Sequence, residues 1–264
     1  MNIPKKITRI LFAILWSLAG VGMIVLLVAA VNSRKNQACK GYDIIINRQE
    51  RGDWFVDKND IVNVLTGNGT MEVKNKNIAS FDLGKIESRL KNEVWIRNAD
   101  LFFDNNGVLK VKVEERAPIV RIFASDGESF YLDSTGHKLP LSDKVSAKLP
   151  VFTGFPANLK KWRTASDKKM VQQIKEISMY LLNNPFWMAQ VSQIDVTPVR
   201  EFEIVPTIGN HIIEFGDGAD YEKKFDRLFV FYKLVLAKTG MDKYERIKVQ
   251  YDKEVIGVKK ANNN

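Results

Sequence analysis

The chain has 264 residues, of which 45% are hydrophobic and 27% are charged, and its formal net charge is +9. This composition is ordinary for a folded protein and excludes an intrinsically disordered chain. Basic residues occur in short runs such as Lys160-Lys161, without a basic stripe interleaved with aromatic side chains, so we do not predict nucleic-acid binding. The single cysteine, Cys39, excludes an internal disulfide.

An uncharged apolar segment runs from Ile10 to Val31. As a helix it would span roughly 33 Å, close to the hydrocarbon thickness of a bilayer. A cleaved signal peptide is the alternative, and Val28-Ala29-Ala30 resembles a cleavage site, but the apolar core exceeds the usual length of about 7 to 15 residues. We predict a transmembrane helix over 10–31, a cytoplasmic tail over 1–9 and a linker over 32–40. Basic residues flank both ends, so charge alone favours this orientation only weakly.

The next segment has the order strand, helix, helix, strand, strand. Asp57 occupies an N-cap position, and Gly67 ends the apolar spacing of the first helix. Phe81-Asp82 precedes a second helix, and the turn at 104–107 joins two strands with alternating apolar residues. Two helices on a three-stranded sheet are the POTRA arrangement, which we predict for residues 41–116.

Residues 117–258 form a second predicted domain of α+β class with a mostly antiparallel sheet. One helix begins near Asp167, and another is expected to begin at an Asp220 cap and to end at Gly240. Two short strands, Arg246–Tyr251 and Glu254–Val258, close the domain. We expect the tail 259–264 to be disordered.

Three motifs follow one another in the order found in a known family. Residues 109–120 resemble its Leu-x-Val-x-Val-x-Glu-Arg-x-Pro signature, residues 130–136 its Tyr-Leu-x-Asp-x-x-Gly segment, and residues 149–154 its Leu-Pro-Val segment. The chain thus resembles the bacterial FtsQ/DivIB family of cell division proteins. The resemblance implies a non-enzymatic, single-pass scaffold of the division septum, with a cytoplasmic N-terminus, a periplasmic POTRA domain and a β-domain. It also implies a link from early division proteins to septal peptidoglycan synthesis.

The resemblance further implies partners. FtsB, in complex with FtsL, would add a strand to the C-terminal sheet edge, and the POTRA domain could contact FtsK or other division proteins. Lys248 and Gln250 depart from the family's Asp and Arg, and Val258 replaces an aromatic residue found in some members. On this basis proline at position 249 is expected to abolish partner binding. The predicted partner-binding residues are Ile247, Lys248, Val249, Gln250, Tyr251 and Val258.

The signature residues Glu114, Glu115, Arg116 and Pro118 mark the junction of the two domains. Proline cannot donate to a central ladder, so one sheet is expected to end here and another to begin. We expect a hinge with interdomain polar contacts. Glu114 and Glu115 are adjacent in a strand and point to opposite faces, so they cannot act as a catalytic carboxylate pair.

Catalytic chemistry is not predicted. His137 and His211 have no ligand-spaced companions, and no nucleophile or phosphate-binding motif is present, so we predict neither an enzyme nor a cofactor. Two alternatives remain open: a POTRA-type chaperone or secretion component for outer-membrane proteins, and a membrane-anchored wall enzyme.

Overall fold

The computed structural model divides the chain into two compact units. One unit comprises Met1–Arg48 and Val56–Glu115, and the other comprises Gln49–Phe55 and Arg116–Asn264. The structure describes residues 5–35, 37–48, 54–69, 72–156 and 164–260.

The first unit begins with a long apolar helix, α1, at Lys5–Lys35. It is the one helix within the described ranges that is long and apolar enough to cross a membrane, and its window Ile14–Val31 buries no side chain. A single membrane span is therefore consistent with the structure. The helix extends beyond the predicted span of 10–31 at both ends, because the polar flanking residues continue its backbone hydrogen bonds.

The predicted strand and helix order of this unit is confirmed. Its sheet has the order β1-β3-β2, with β1 parallel and β2 antiparallel to the central strand. The apolar faces of two helices complete its core. The elements after α1 are β1 Gly41–Asn47, α2 Lys58–Thr66, a 3₁₀ turn Ile78–Ser80, α3 Leu83–Asn92, β2 Ile96–Phe103 and β3 Val108–Glu115.

Local caps fix the two helices where the sequence predicts them. The Asp57 carboxylate accepts from the Asp60 N–H at 3.0 Å, and Asp60 accepts in return from the Asp57 N–H at 2.8 Å. Asp82 accepts from the Lys85 N–H at 3.0 Å. Each carboxylate satisfies a backbone donor that the helix itself leaves unpaired.

The second unit is built on one nine-stranded sheet with the order β12-β11-β10-β9-β8-β7-β4-β5-β6. The strands are β4 Pro118–Ala124, β5 Ser129–Asp133, β6 Lys138–Leu139, β7 Val151–Phe155, β8 Val191–Val196, β9 Phe202–Pro206, β10 Ile212–Gly216, β11 Tyr244–Lys248 and β12 Ile256–Lys259. Five of the described strand pairs are antiparallel and three are parallel, so the sheet is mixed.

Helices supply the apolar partner of this sheet. Their buried side chains form one cluster with inward-facing strand residues. An aromatic group of Tyr180, Trp187, Phe215 and Phe225 lies within it, with ring centroids 4.9 to 5.0 Å apart in three pairs. The helical segments are α4 Ala165–Leu182, α5 Pro185–Gln190, α6 Tyr221–Phe231, a π-helical turn Tyr232–Leu236 and α7 Ala237–Thr239.

Two sequence predictions are corrected here, and two elements are added. Asp220 does not cap α6, because its backbone is left-handed (φ 51°) and its carboxylate contacts Lys223 Nζ at 2.7 Å instead. β7 and α5 were not predicted, because each is short and lacks a clear period. Lys259 belongs to β12 and is not part of a disordered tail; residues 261–264 lie outside the described residues.

Candidate functional site

The C-terminal end of the large sheet consists of β10, β11 and β12. β11 pairs in parallel with β10 and antiparallel with β12. The strand predicted to form the edge is therefore penultimate, and β12 is the edge strand. This correction matters because only an edge strand offers unpaired backbone groups to a partner.

Two of the predicted contact residues belong to the core. Ile247 and Val249 have no solvent-exposed area. The Val249 N–H donates to the Glu214 carbonyl at 3.0 Å, within the protein's own sheet. Proline at 249 would thus break an internal hydrogen bond, and it cannot serve as a specific test of docking.

Two further predicted contacts, Gln250 and Tyr251, follow the end of β11. Tyr251 is 43% exposed, and Gln250 is half-buried against Gly216. The Arg227 Nη2 group donates to the carbonyls of Val249 and Tyr251, each at 3.1 Å. Arg227 therefore fixes the turn that leads from β11 toward β12.

A charged network covers the open face of the sheet beside this edge. Arg246 contacts Glu214 Oε1 and Glu203 Oε1, both at 2.8 Å. Lys248 Nζ lies 3.1 Å from Glu214 Oε2. These opposite charges are cross-strand neighbours, which stabilise strand pairing. The sequence did not predict this network, because the pairing requires the strand order.

Two apolar side chains extend the same face onto the edge strand. Ile256 and Val258 are 39% and 37% exposed, and they pair with Lys248 and Arg246. Ile256 was absent from the predicted site, although its alternation with Val258 is the signal that could have found it.

The backbone of β12 has a defined outward direction. The Val249 N–H points toward β10. The backbone groups of successive strand residues point to alternate sides, so those of Arg246 and Lys248 point toward β12, where these residues pair with Val258 and Ile256. The Lys260 N–H also points inward, toward the Lys243 carbonyl at 3.3 Å. The N–H and C=O groups of Gly257 and Lys259 consequently point outward.

An apolar groove lies on the helix side of the edge. Its volume is about 410 Å³, and its lining includes Val230, Leu234 and Val255. Val230 and Leu234 are more than half exposed, at 52% and 55%. Charged residues surround the apolar floor, namely Asp226, Arg227, Lys253 and Glu254. The last two residues lead directly into β12.

The contacts that the structure describes for Glu114, Glu115 and Arg116 each lie within one unit. Glu115 is buried, accepts from the Val56 N–H at 2.9 Å and contacts Arg48 Nε at 3.2 Å. Half-exposed Glu114 lies 3.3 Å from Arg97. In the second unit, Arg116 Nη1 lies 3.0 Å from Asp133.

Pro118 begins β4, where one sheet has ended and the next starts. The Asp133 carboxylate also accepts from Thr135 and from the His137 N–H, at 2.6 and 2.8 Å. Burial raises the Asp133 pKa, but these hydrogen bonds and the one from Arg116 outweigh it, so the pKa lies below its ordinary value.

The two histidines have different surroundings. His137 is exposed, whereas His211 is buried and lies 3.2 Å from the Tyr232 hydroxyl and 3.1 Å from the Met241 carbonyl. Burial lowers the His211 pKa and raises the pKa of Tyr232 to about 12. A neutral imidazole can therefore donate to the carbonyl and accept from the phenol. This places His211 in a structural role.

Comparison with known proteins identifies both units. A family model described as "POTRA-like domain" matches residues 37–114, and one described as "FtsQ/DivIB, C-terminal related" matches residues 117–258, more than half of the chain. The chain is 24% identical over 177 residues to Cell division protein FtsQ of Salinibacter ruber, covering 65% of this chain and 67% of that protein. It is 23% identical over 184 residues to Cell division protein FtsQ of Rhodothermus marinus, covering 67% and 66%. The chain spans about two thirds of the length of these relatives. On the evidence of its two matched domains and its single apolar helix, this chain belongs to the FtsQ/DivIB family of cell division proteins.

Proposed function

We propose that this protein is a non-enzymatic, single-pass scaffold of the division septum, which binds an FtsB/FtsL-type complex through its C-terminal sheet edge. Through that complex it would couple early division proteins to septal peptidoglycan synthesis. The N-terminus would lie in the cytoplasm and both folded units in the periplasm. The observation that carries the proposal is the edge position of β12 with its outward backbone groups.

Backbone pairing supplies the affinity in this proposal. In the part of the chain that the structure describes, β12 pairs with β11 alone. A partner strand can bond to the outward N–H and C=O groups of Gly257 and Lys259 and so continue the sheet. The opposite end of the sheet is a poorer template, because β6 has only two residues, Lys138–Leu139.

Side chains on the two faces supply specificity. On the open face, an added strand would lie beside Ile256 and Val258, which favour an apolar neighbour. On the helix face, an apolar side chain of the partner could enter the groove at Val230 and Leu234. We therefore expect a partner segment with apolar residues on both faces.

Position 259 offers the sharpest test. Lys259→Pro removes an outward N–H while leaving the inward hydrogen bonds of β12 in place. Lys259→Ala is the matched control, because it removes the side chain and keeps the N–H. With full-length protein in detergent and the FtsB/FtsL complex of the same organism, we expect proline to weaken binding about tenfold or more and alanine to change it about twofold or less.

A side-chain test is independent of the backbone test. The double substitution Ile256→Asp/Val258→Asp should also weaken binding about tenfold or more, since charge replaces apolar contact area. Val199→Asp is its control, because Val199 is 76% exposed in a turn away from β12. Unchanged binding of both the proline variant and the double variant would exclude this edge as the docking site. Failure of the wild-type chain to bind would favour the chaperone or secretion alternative.

A further inference from the structure

A basic pocket lies in the first unit, beside the N-terminal turn of α3. The cavity has a volume of about 200 Å³. This size suits a group smaller than a drug-sized ligand. The lining residues that bear charge or ring faces are Lys76, Phe81, Asp82, Lys85 and Arg89.

The charge of the pocket is positive. Three cations face one carboxylate, and that carboxylate, on Asp82, already accepts from the backbone N–H of Lys85 as the α3 cap. Lys85 and Arg89 form no ion pair with any residue that the structure describes. The Arg89 Nε atom is buried and has no hydrogen-bond partner in the described chain. A guanidinium that lacks a hydrogen-bond partner at a buried nitrogen is costly, and Arg89 lines the pocket, so the negative charge of a bound anion would stabilise this site.

Backbone hydrogen bonds hold the pocket close to the end of the membrane helix. The Ile78 N–H donates to the Gln37 carbonyl at 3.0 Å, and the Cys39 N–H donates to the Lys76 carbonyl at 2.8 Å. The apolar span ends at Val31 and α1 continues to Lys35. Four further helical residues rise about 6 Å, and the next two residues can reach at most about 7 Å in any conformation, so Gln37 lies at most roughly 13 Å from the hydrocarbon boundary.

Lipid phosphates lie within side-chain reach of this depth. The headgroup layer extends roughly 5 to 8 Å beyond the hydrocarbon on each side of a bilayer. Long lysine and arginine side chains readily bridge the remaining distance. Phe81, with Lys76 Nζ 5.3 Å from its ring centroid, adds an apolar surface at the same place.

The geometry points to a binding site for the phosphate headgroup of an anionic phospholipid, formed by Lys76, Lys85 and Arg89. Occupation of the site would attach the first unit to the membrane surface next to α1. An acidic protein segment is the competing occupant. The small cavity and its position near the headgroup layer favour the lipid. This site is separate from β12, and its assignment does not depend on the proposed partner.

The test is lipid retention by the full-length protein in a neutral detergent, measured by native mass spectrometry. The probes are phosphatidylglycerol and phosphatidylcholine, added in parallel. We expect preferential retention of phosphatidylglycerol, and for Lys85→Gln/Arg89→Gln a loss of about fivefold for each charge removed. The control Lys238→Gln/Lys243→Gln removes two exposed charges from the second unit and should retain the lipid as the wild type does.

Charge-preserving substitution separates binding from misfolding. Lys85→Arg/Arg89→Lys keeps both charges and should retain most of the phosphatidylglycerol. If the glutamine variant lost the lipid because it misfolded, the charge-preserving variant should lose the lipid as well. Full retention by the glutamine double variant would overturn the assignment. Displacement of the lipid by millimolar inorganic phosphate would assign the pocket to free phosphate. If the glutamine double variant retained the lipid fully but no longer bound a division partner, the pocket would be assigned to an acidic protein segment.

Discussion

Gly257 in the edge strand lies directly against the ring of Tyr244 in β11. A Cβ atom at position 257 would be 2.5 Å from Tyr244 Cε1, a distance that real Cβ atoms do not adopt. Gly257 therefore lets β12 approach β11 over a large aromatic side chain. The edge that we propose for docking depends on this close approach.

Gly257→Ala is expected to destabilise the protein by about 1 to 3 kcal/mol, because the added methyl group forces the strand or the ring to move. Partner binding should weaken as well, since the outward groups of β12 shift. The measurement is urea unfolding of the full chain. Gly84→Ala is the control, because Gly84 lies in α3 and a methyl group added there would have its nearest neighbour at 3.8 Å, so it should stabilise the helix by about 0.5 to 1 kcal/mol.

A smaller side chain at position 244 tests whether the clash with the Tyr244 ring causes the loss of stability in Gly257→Ala. If the clash with the ring is responsible, Gly257→Ala should cost less in a Tyr244→Leu background than in the wild type, and the two effects should not be additive. Additive effects would show that the glycine is required for another reason.

Glu115→Gln is expected to reduce the free energy of unfolding by about 1 to 3 kcal/mol. Glu115 is 8% exposed and accepts hydrogen bonds from Arg48 and from the Val56 N–H, so the substitution removes the negative charge that strengthens these buried hydrogen bonds. Glu114→Gln is the matched control, because its ion pair with Arg97 is half-exposed and should contribute about 0 to 1 kcal/mol. Equal effects of the two substitutions would contradict this interpretation.

His211 should make stability depend on pH. Burial lowers its pKa in the folded state, so as the pH falls below about 6.5 the unfolded chain binds a proton before the folded chain does. The contribution of the neutral His211 ring to the free energy of unfolding is thus complete above that pH and declines below it. Asp242 and Lys260 are the nearby charges, and their influences oppose each other.

We expect the wild type to lose up to about 1.4 kcal/mol between about pH 7.5 and about pH 5.5 through this residue. His211→Gln should remove that part of the pH dependence, and His137→Gln, at an exposed position, should retain it. Urea unfolding at the two pH values is the measurement. A pH dependence that survives in His211→Gln would show that another group is responsible.

Asp133→Asn is expected to destabilise the second unit by about 1 to 3 kcal/mol near neutral pH. The carboxylate holds Arg116, Thr135 and the His137 N–H together, and an amide loses the charge that strengthens these bonds. Because the Asp133 pKa is lowered on folding, its contribution is present above about pH 4 and is lost as the pH falls through the folded pKa. The wild type and the variant should therefore converge in acid unfolding curves. Asp143→Asn, in an exposed loop, should behave like the wild type.

The sequence by itself determined the features that depend on local pattern. The apolar run over 10–31 predicts α1. A run of that length spans the hydrocarbon of a bilayer, and there a helix satisfies all of its backbone hydrogen bonds internally. The cap at Asp57 lies where predicted, because it bonds to an N–H only three residues away, and Asp82, which precedes the second predicted helix, caps that helix in the same way. The change from helical to alternating spacing likewise predicts the order of elements in the first unit.

Only the tertiary structure decided which strand forms the edge. β11 and β12 are short strands near the C-terminus, and their local patterns do not distinguish an inner from an outer position. The distinction comes from the pairing of Ile247 with Ile213, across the helical segment from Tyr221 to Thr239, which buries Ile247 and leaves Val258 outside.

The basic pocket was not predicted from the sequence either, because it also depends on contacts between distant segments of the chain. Lys76 and Arg89 are far apart in sequence from Gln37, and only long-range backbone hydrogen bonds place them near the end of the membrane helix. Sequence spacing encodes interactions within one or two turns of chain. Strand order and the pocket depend on which distant surfaces are buried together, which spacing does not encode.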